Sequence, residues 1–130
     1  EDEDKSRESG IRSLLNRRRL RFTTLRDKIS DKNQTSFVIV LAAERLPVLE
    51  TIELQQQLKK AKISVDCLVV NKRSPKGEGG FLEERRAQEE AHMATLTKAL
   101  PKISRQNIFL LAQDVVGVDA LQAMAERIAQ

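Results

Sequence analysis

Three short apolar runs, set apart by helix-length stretches, constrain this chain more than any other feature. They are Ser36 to Ala42 (SFVIVLA), Ser64 to Val70 (SVDCLVV) and Asn107 to Ala112 (NIFLLA). Each has the length of a strand, and the first two are rich in β-branched residues. The first is apolar almost without a break, so it reads as a strand buried on both faces, as parallel strands are. Between the runs the spacing predicts helices. One begins with Pro47 in its first turn, where a missing N–H costs nothing, and runs to about Ala61. A second runs from Phe81 to about Leu100, with Pro101 just past its end, and a last one starts at Val118. Strands alternating with helices imply right-handed crossovers and a parallel sheet. The fold class is therefore α/β: a three-stranded parallel β/α segment. Three such strands leave two open edges, and a doubly wound sheet usually has more. Either another chain completes this sheet or the segment is the second half of a larger domain.

A basic helix precedes the sheet. Leu14, Leu15, Phe22, Leu25 and Ile29 fall at helical spacing, and Asp31, Asn33 and Gln34 end the run. Between Ile11 and Lys28 stand Arg12, Arg17, Arg18, Arg19, Arg21, Arg26 and Lys28 against one acid, Asp27, so this stretch alone exceeds the whole net charge of +4. A charge run can grip phosphates, but on a helix it also serves as a solvated face. With four Phe and neither Tyr nor Trp, base stacking has little to work with. Nucleic acid is the disfavoured partner. The polar, acidic start (EDEDKSRES) cannot bury apolar surface and is expected to be disordered over residues 1–10.

No apolar run approaches the ~20 residues that span a bilayer, and no charged–apolar–small leader opens the sequence. One Cys can form neither an internal disulfide nor a CxxC clamp, so a reducing, cytoplasmic setting is expected. Cys67, inside an apolar strand, reads as a small core residue. The single His92 sits among Glu89, Glu90 and Met93 on a helix and reads as a surface residue. No P-loop signature GxxxxGK[ST] and no GxGxxG occurs, and Gly77, Gly79 and Gly80 read as a flexible surface loop within Asn71 to Gly80.

Ligands of parallel α/β sheets bind beyond the carboxyl ends of the strands. Here those ends carry Ala43-Glu44-Arg45, Asn71-Lys72-Arg73 and Gln113-Asp114. The Asn71 amide offers two donors and an acceptor, which suits an adenine edge, or it ends its strand by bonding the loop backbone. Glu44 can serve a metal-linked water or simply the start of the next helix. Asp114 can cap the turn ahead of Gly117. In the first inter-strand helix, Leu54, Leu58 and Ala61 form one stripe and Val48, Leu49 and Ile52 another, and one of them must face the sheet.

Three stretches taken in order resemble one family. These are Thr35 to Thr51 (TSFVIVLAAERLPVLET), Cys67 to Lys72 (CLVVNK) and Ile108 to Leu121 (IFLLAQDVVGVDAL). They are similar to the C-terminal part of the anion-transporting ATPases, which include the arsenite-pump ATPase and the ATPase that targets tail-anchored membrane proteins. The resemblance implies a P-loop NTPase (Rossmann-like) sheet, ATP and Mg as cofactors of the complete protein, and a homodimer or pseudo-dimer. Asn71, with Lys72 beside it, matches the adenine-recognising Asn. Asp114 and Gly117 match the loop that closes over adenine. Glu44, Glu50 and Thr51 match a Glu-containing turn and helix start. The basic helix, residues 11–33, matches the end of a helical insert, and residues 34–130 the C-terminal part of the ATPase domain. Ala112 stands where the family has Pro. The phosphate-holding and Mg-binding motifs belong to the family's N-terminal half, so no catalytic residue is assigned and this segment alone is expected to be inactive. The implied partners are that N-terminal half and a membrane pump or membrane-protein client, in a cytoplasmic protein peripheral to the inner membrane. Two rival expectations are a non-catalytic interaction module on the same fold and a basic-helix nucleic-acid binder.

Overall fold

The computed structural model describes the backbone of residues 2–77 and 79–128, and side chains from Gly10 onward within them. Its elements are α1 (Asp2–Ser30), β1 (Phe37–Ala42), α2 (Arg45–Lys60), β2 (Val65–Arg73), α3 (Gly80–Ala99), β3 (Ser104–Phe109) and α4 (Val118–Ile128). The strands form one parallel sheet in the order β1-β2-β3. Ile39 pairs with Leu68 and Leu41 with Val70, so the larger apolar side chains of both strands share a face. That face carries the core: Ile39, Leu41, Leu68 and Val70 pack with Val48 of α2 and with Met93, Leu96 and Leu100 around α3.

Spatial order equal to chain order has a consequence for the other face. Two right-handed crossovers stepping the same way lay both connecting helices on one side of the sheet. The opposite side is met by α4 at β3, where Gln106 Nε2 donates to the Ile128 carbonyl at 3.1 Å. Val38 and Val40 are accordingly 47% and 62% exposed. This corrects the expectation that β1 is buried on both faces: its sequence suits such a strand, yet these residues cover only one side. Cys67, paired with Val38, lies on the same open face and is half-buried rather than core.

Other boundaries shift for local reasons. The third strand starts at Ser104 and ends at Phe109, ahead of the expected Asn107 to Ala112. The backbone ladder recruits polar residues here because their side chains find partners. Ser104 Oγ donates to the Asp66 carbonyl at 2.8 Å, and Arg105 reaches Thr97 and the Leu100 carbonyl on the core side. The second strand runs on through Asn71 and Lys72 to Arg73, residues expected in the loop. On α2 the inward face is Val48 and Thr51 with Ile52 and Leu58, drawing on both expected stripes, while Leu49 and Leu54 are exposed. That helix stops at a Schellman turn: Ile63 N donates to Leu58 O and Lys62 N to Lys59 O, with Lys62 at φ 63°.

Helix α1 begins at Asp2 rather than Ile11, so the stretch expected to be disordered enters the helix from Asp2. Glu1 and the side chains of residues 1–9 lie outside the described residues. The helix ends as expected, with Asn33 N and Gln34 Nε2 both bonded to the Asp31 carboxylate and Thr35 Oγ1 to the Lys28 carbonyl. Its apolar residues from Ile11 to Leu25 are all exposed, and its C-terminal part, Phe22, Leu25, Arg26 and Ile29, lines a shallow groove with Ala61 and Ile63. No described helix is long and apolar enough to cross a membrane.

Candidate functional site

The carboxyl end of β2 holds the densest polar structure among the described residues. Between Val70 and Arg73 the register shifts: Val70 faces Asn107, but Arg73 faces Phe109, so β2 spends one residue more than β3. Such a bulge re-aims side chains. It is formed by Asn71 and Lys72. Lys72 stands at φ 55°, a left-handed conformation that a residue with a Cβ adopts at a cost of about 1–2 kcal/mol. Asn71, half-buried on the open face beside Ala42, takes the Lys72 N–H on Oδ1 at 2.8 Å. That is a bond to the following backbone, as weighed for this residue, but it lies at a bulge within β2 and does not end the strand. It still leaves the amide NH₂ and one Oδ1 lone pair to meet a ligand.

Beyond the bulge the chain is pinned. Arg73 turns its side chain into the core side, where it and Glu89 of α3 are 7% and 5% exposed, with Nε 3.1 Å from Oε2. That Nε makes no aligned hydrogen bond, so the contact is an ion pair held by charge. The guanidinium also reaches Glu90 at 2.5 Å. Ser74 donates to Glu89 twice, from its backbone N at 3.1 Å and its Oγ at 2.8 Å. The Arg73 carbonyl accepts the Leu110 N–H at 2.8 Å, joining the end of β2 to the start of the next loop. On the outer side Arg85 lies between Glu89, at 3.5 Å, and Glu44, at 3.2 Å. Two charges this deeply buried need each other. In the sequence Arg73 stands only as one member of a strand-end cluster, Ser74 only within the Asn71 to Gly80 loop, and Glu89 only as a helix neighbour of His92, with no role assigned to any of them. The available signal was Arg73 directly following a strand, with Glu89 between apolar-spaced positions leading to Met93 and Leu96.

The other expected site residues are dispersed. Asp114 is exposed and lines a cleft of about 320 Å³ with Ala112, Val115 and, from α4, Ala123, Met124 and Arg127. Gly117, at φ 85°, turns the chain into α4, its carbonyl accepting the Leu121 N–H at 3.2 Å. Asn71 and Lys72 do not line that cleft; the Arg73–Leu110 bond joins the end of β2 to the residue just before it. Glu44 precedes α2 without a side-chain cap bond and pairs with Arg85. Glu50 is exposed and Thr51 buried. His92 is half-buried and joins Glu44, Arg45, Phe81 and Arg85 around a second cleft of about 410 Å³. Among the described residues no group of three His, Cys, Asp or Glu could hold a metal ion.

A parallel sheet with helices on the crossovers, and with its polar loops gathered beyond the carboxyl ends, defines a segment of the P-loop NTPase kind. The chain belongs to the anion-transporting ATPase family, whose sequence model matches residues 4–130. It is 30% identical over 113 residues to a putative arsenical pump-driving ATPase 2 of Aquifex aeolicus, covering 86% of this chain and 37% of that protein. It is 31% identical over 103 residues to an ATPase ASNA1 homolog of Trypanosoma cruzi, covering 76% of this chain and 29% of that one. A shorter match, 52% over 44 residues, joins it to an ATPase ASNA1 homolog of Leishmania infantum, covering 34% of this chain and 11% of the relative. The chain thus spans about a third of the length of the relatives it matches.

Proposed function

We propose that this chain is the C-terminal part of an ArsA-type ATPase and supplies the adenine-side wall of its nucleotide site. ATP with Mg²⁺ is the cofactor of the complete protein. Asn71 meets the base edge, Lys72 stands beside it, and the loop of Asp114 and Gly117 closes over the ring. The phosphates and the metal fall to the preceding part of the same protein, which also completes the open sheet face, and a second copy or pseudo-repeat completes the dimer. The complete protein couples ATP hydrolysis to oxyanion export or to delivery of a membrane-protein client from the cytoplasm, at the membrane's periphery. The observation that carries this reading is the bulge at Asn71. A half-buried amide with an unused NH₂, at the carboxyl end of a central strand, is placed where such sheets take ligands. Asn71→Ala in the complete protein should weaken ATP by about 1–3 kcal/mol, the loss of a buried hydrogen bond, and spare GTP. Titration calorimetry reads both; unchanged ATP affinity removes Asn71 from the site.

A further inference from the structure

The bulge that aims Asn71 is not held by Asn71. Its one internal bond, Asn71 Oδ1 to Lys72 N, joins neighbours in the chain and cannot set their direction relative to the sheet. A left-handed Lys72 persists only where its surroundings over-determine it. The surroundings that do so start at the next residue. Arg73 is tied inward to Glu89 and Glu90, Ser74 is tied to Glu89 through N–H and hydroxyl, and the Arg73 carbonyl is tied to Leu110. Glu89 sits on α3, in the turn before Met93 and Leu96 of the core, so the anchor is as rigid as the core itself.

Resting on the adenine-wall reading above, we propose that the buried Arg73–Glu89 pair, with Ser74, is the positioning device that sets base specificity. It fixes where β2 leaves the bulge and so where the Asn71 amide points. Through the Arg73 carbonyl it also fixes the start of the segment leading to Asp114 and Gly117. The two arms of the base site, on separate loops, are thereby referred to one anchor on α3. Neither Arg73 nor Glu89 touches the nucleotide. A network serving stability alone would leave the ratio of ATP to GTP affinity untouched, because loss of folded protein lowers both alike. A positioning network changes that ratio, because only the base contact depends on the aim of Asn71.

The test is calorimetric binding of ATP and of GTP to the complete protein, with the thermal midpoint as the check on folding. The paired variant Arg73→Met with Glu89→Met removes both charges together and fills the space with side chains of similar length. It should lower the ATP-over-GTP preference roughly tenfold, matching Asn71→Ala, as expected for one misaligned hydrogen bond. Arg73→Lys, which keeps the charge opposite Glu89, should restore part of the preference. If Asn71→Ala lowers the preference and the folded paired variant keeps it, the positioning role is overturned while the adenine wall stands. If Asn71→Ala also leaves it unchanged, both fall. Should the paired variant not fold, Ser74→Ala decides: it removes one donor to Glu89 and keeps the ion pair, and an unaltered preference there overturns the proposal.

Discussion

Glu89→Ala is the sharpest single perturbation of this fold. The carboxylate is nearly inaccessible and serves the Ser74 N–H, the Ser74 hydroxyl, Arg73 at 3.1 Å and Arg85 at 3.5 Å. Removing it leaves a buried guanidinium and two buried donors short of a partner. Breaking a buried pair from one side costs about 3–5 kcal/mol. Arg73 retains Glu90, which is 57% exposed on its side chain and therefore a weaker, solvent-screened partner. The expected loss is thus near the lower end, about 3 kcal/mol. Glu89→Gln, which keeps an acceptor for Ser74 but not the charge, should lose about half of that. The double replacement of Arg73 and Glu89 by Met should cost less than Glu89→Ala alone, since no charge is left buried. Urea unfolding with unchanged m-values measures all three. A loss under about 1 kcal/mol for Glu89→Ala, the scale of an ordinary surface change, would refute the buried-pair account.

Three further outcomes follow from other parts of the chain. Gly117→Ala places a Cβ on a φ of 85° with no atom nearby to clash, so the cost is conformational only, about 1–2 kcal/mol, readable as a lower urea midpoint. Amide hydrogen exchange over Ile11 to Leu25 should be fast beside that of Ile39 to Leu41, because the apolar residues of that stretch are all exposed. Equal protection in a monomeric sample would show that α1 belongs to this domain's own core. Purified alone, the 130-residue chain should release no phosphate from ATP above buffer, since it carries no phosphate-binding loop; steady turnover surviving a contaminant control would overturn the assignment of catalysis to a preceding segment.

Much of the architecture was legible because it rests on local signals. Apolar runs at 36–42 and 64–70 and the helical stripes between them fix element type, and alternation fixes a parallel sheet. The third strand was misplaced because Ser104, Arg105 and Gln106 are polar, and periodicity cannot see that Arg105 will find Thr97 and Leu100. The site was legible in part for a related reason. Asn71 stands out by following an apolar strand, a property of the chain. The pinning of Asn71's neighbours depends on a glutamate in another element, Glu89, which in sequence is one acid among several on α3. A charged residue on a helix is solvated by default, and only the facing strand end converts it into an anchor.

The same distinction explains the open face. A run such as FVIVLA states that a strand wants cover on both sides; it does not state what provides the cover. Here α2 and α3 supply one side, and the strand order forbids them from supplying the other. Val38, Val40, Cys67 and Val69 therefore share an apolar face, which α4 approaches at β3. The matches to this chain cover 37% and 29% of two longer relatives. Asn71 shares that face, next to Ala42. Under the proposed adenine-wall reading, the open face and the base edge adjoin, so a segment that buries Val38 and Val40 also comes close to the strand end that carries Asn71.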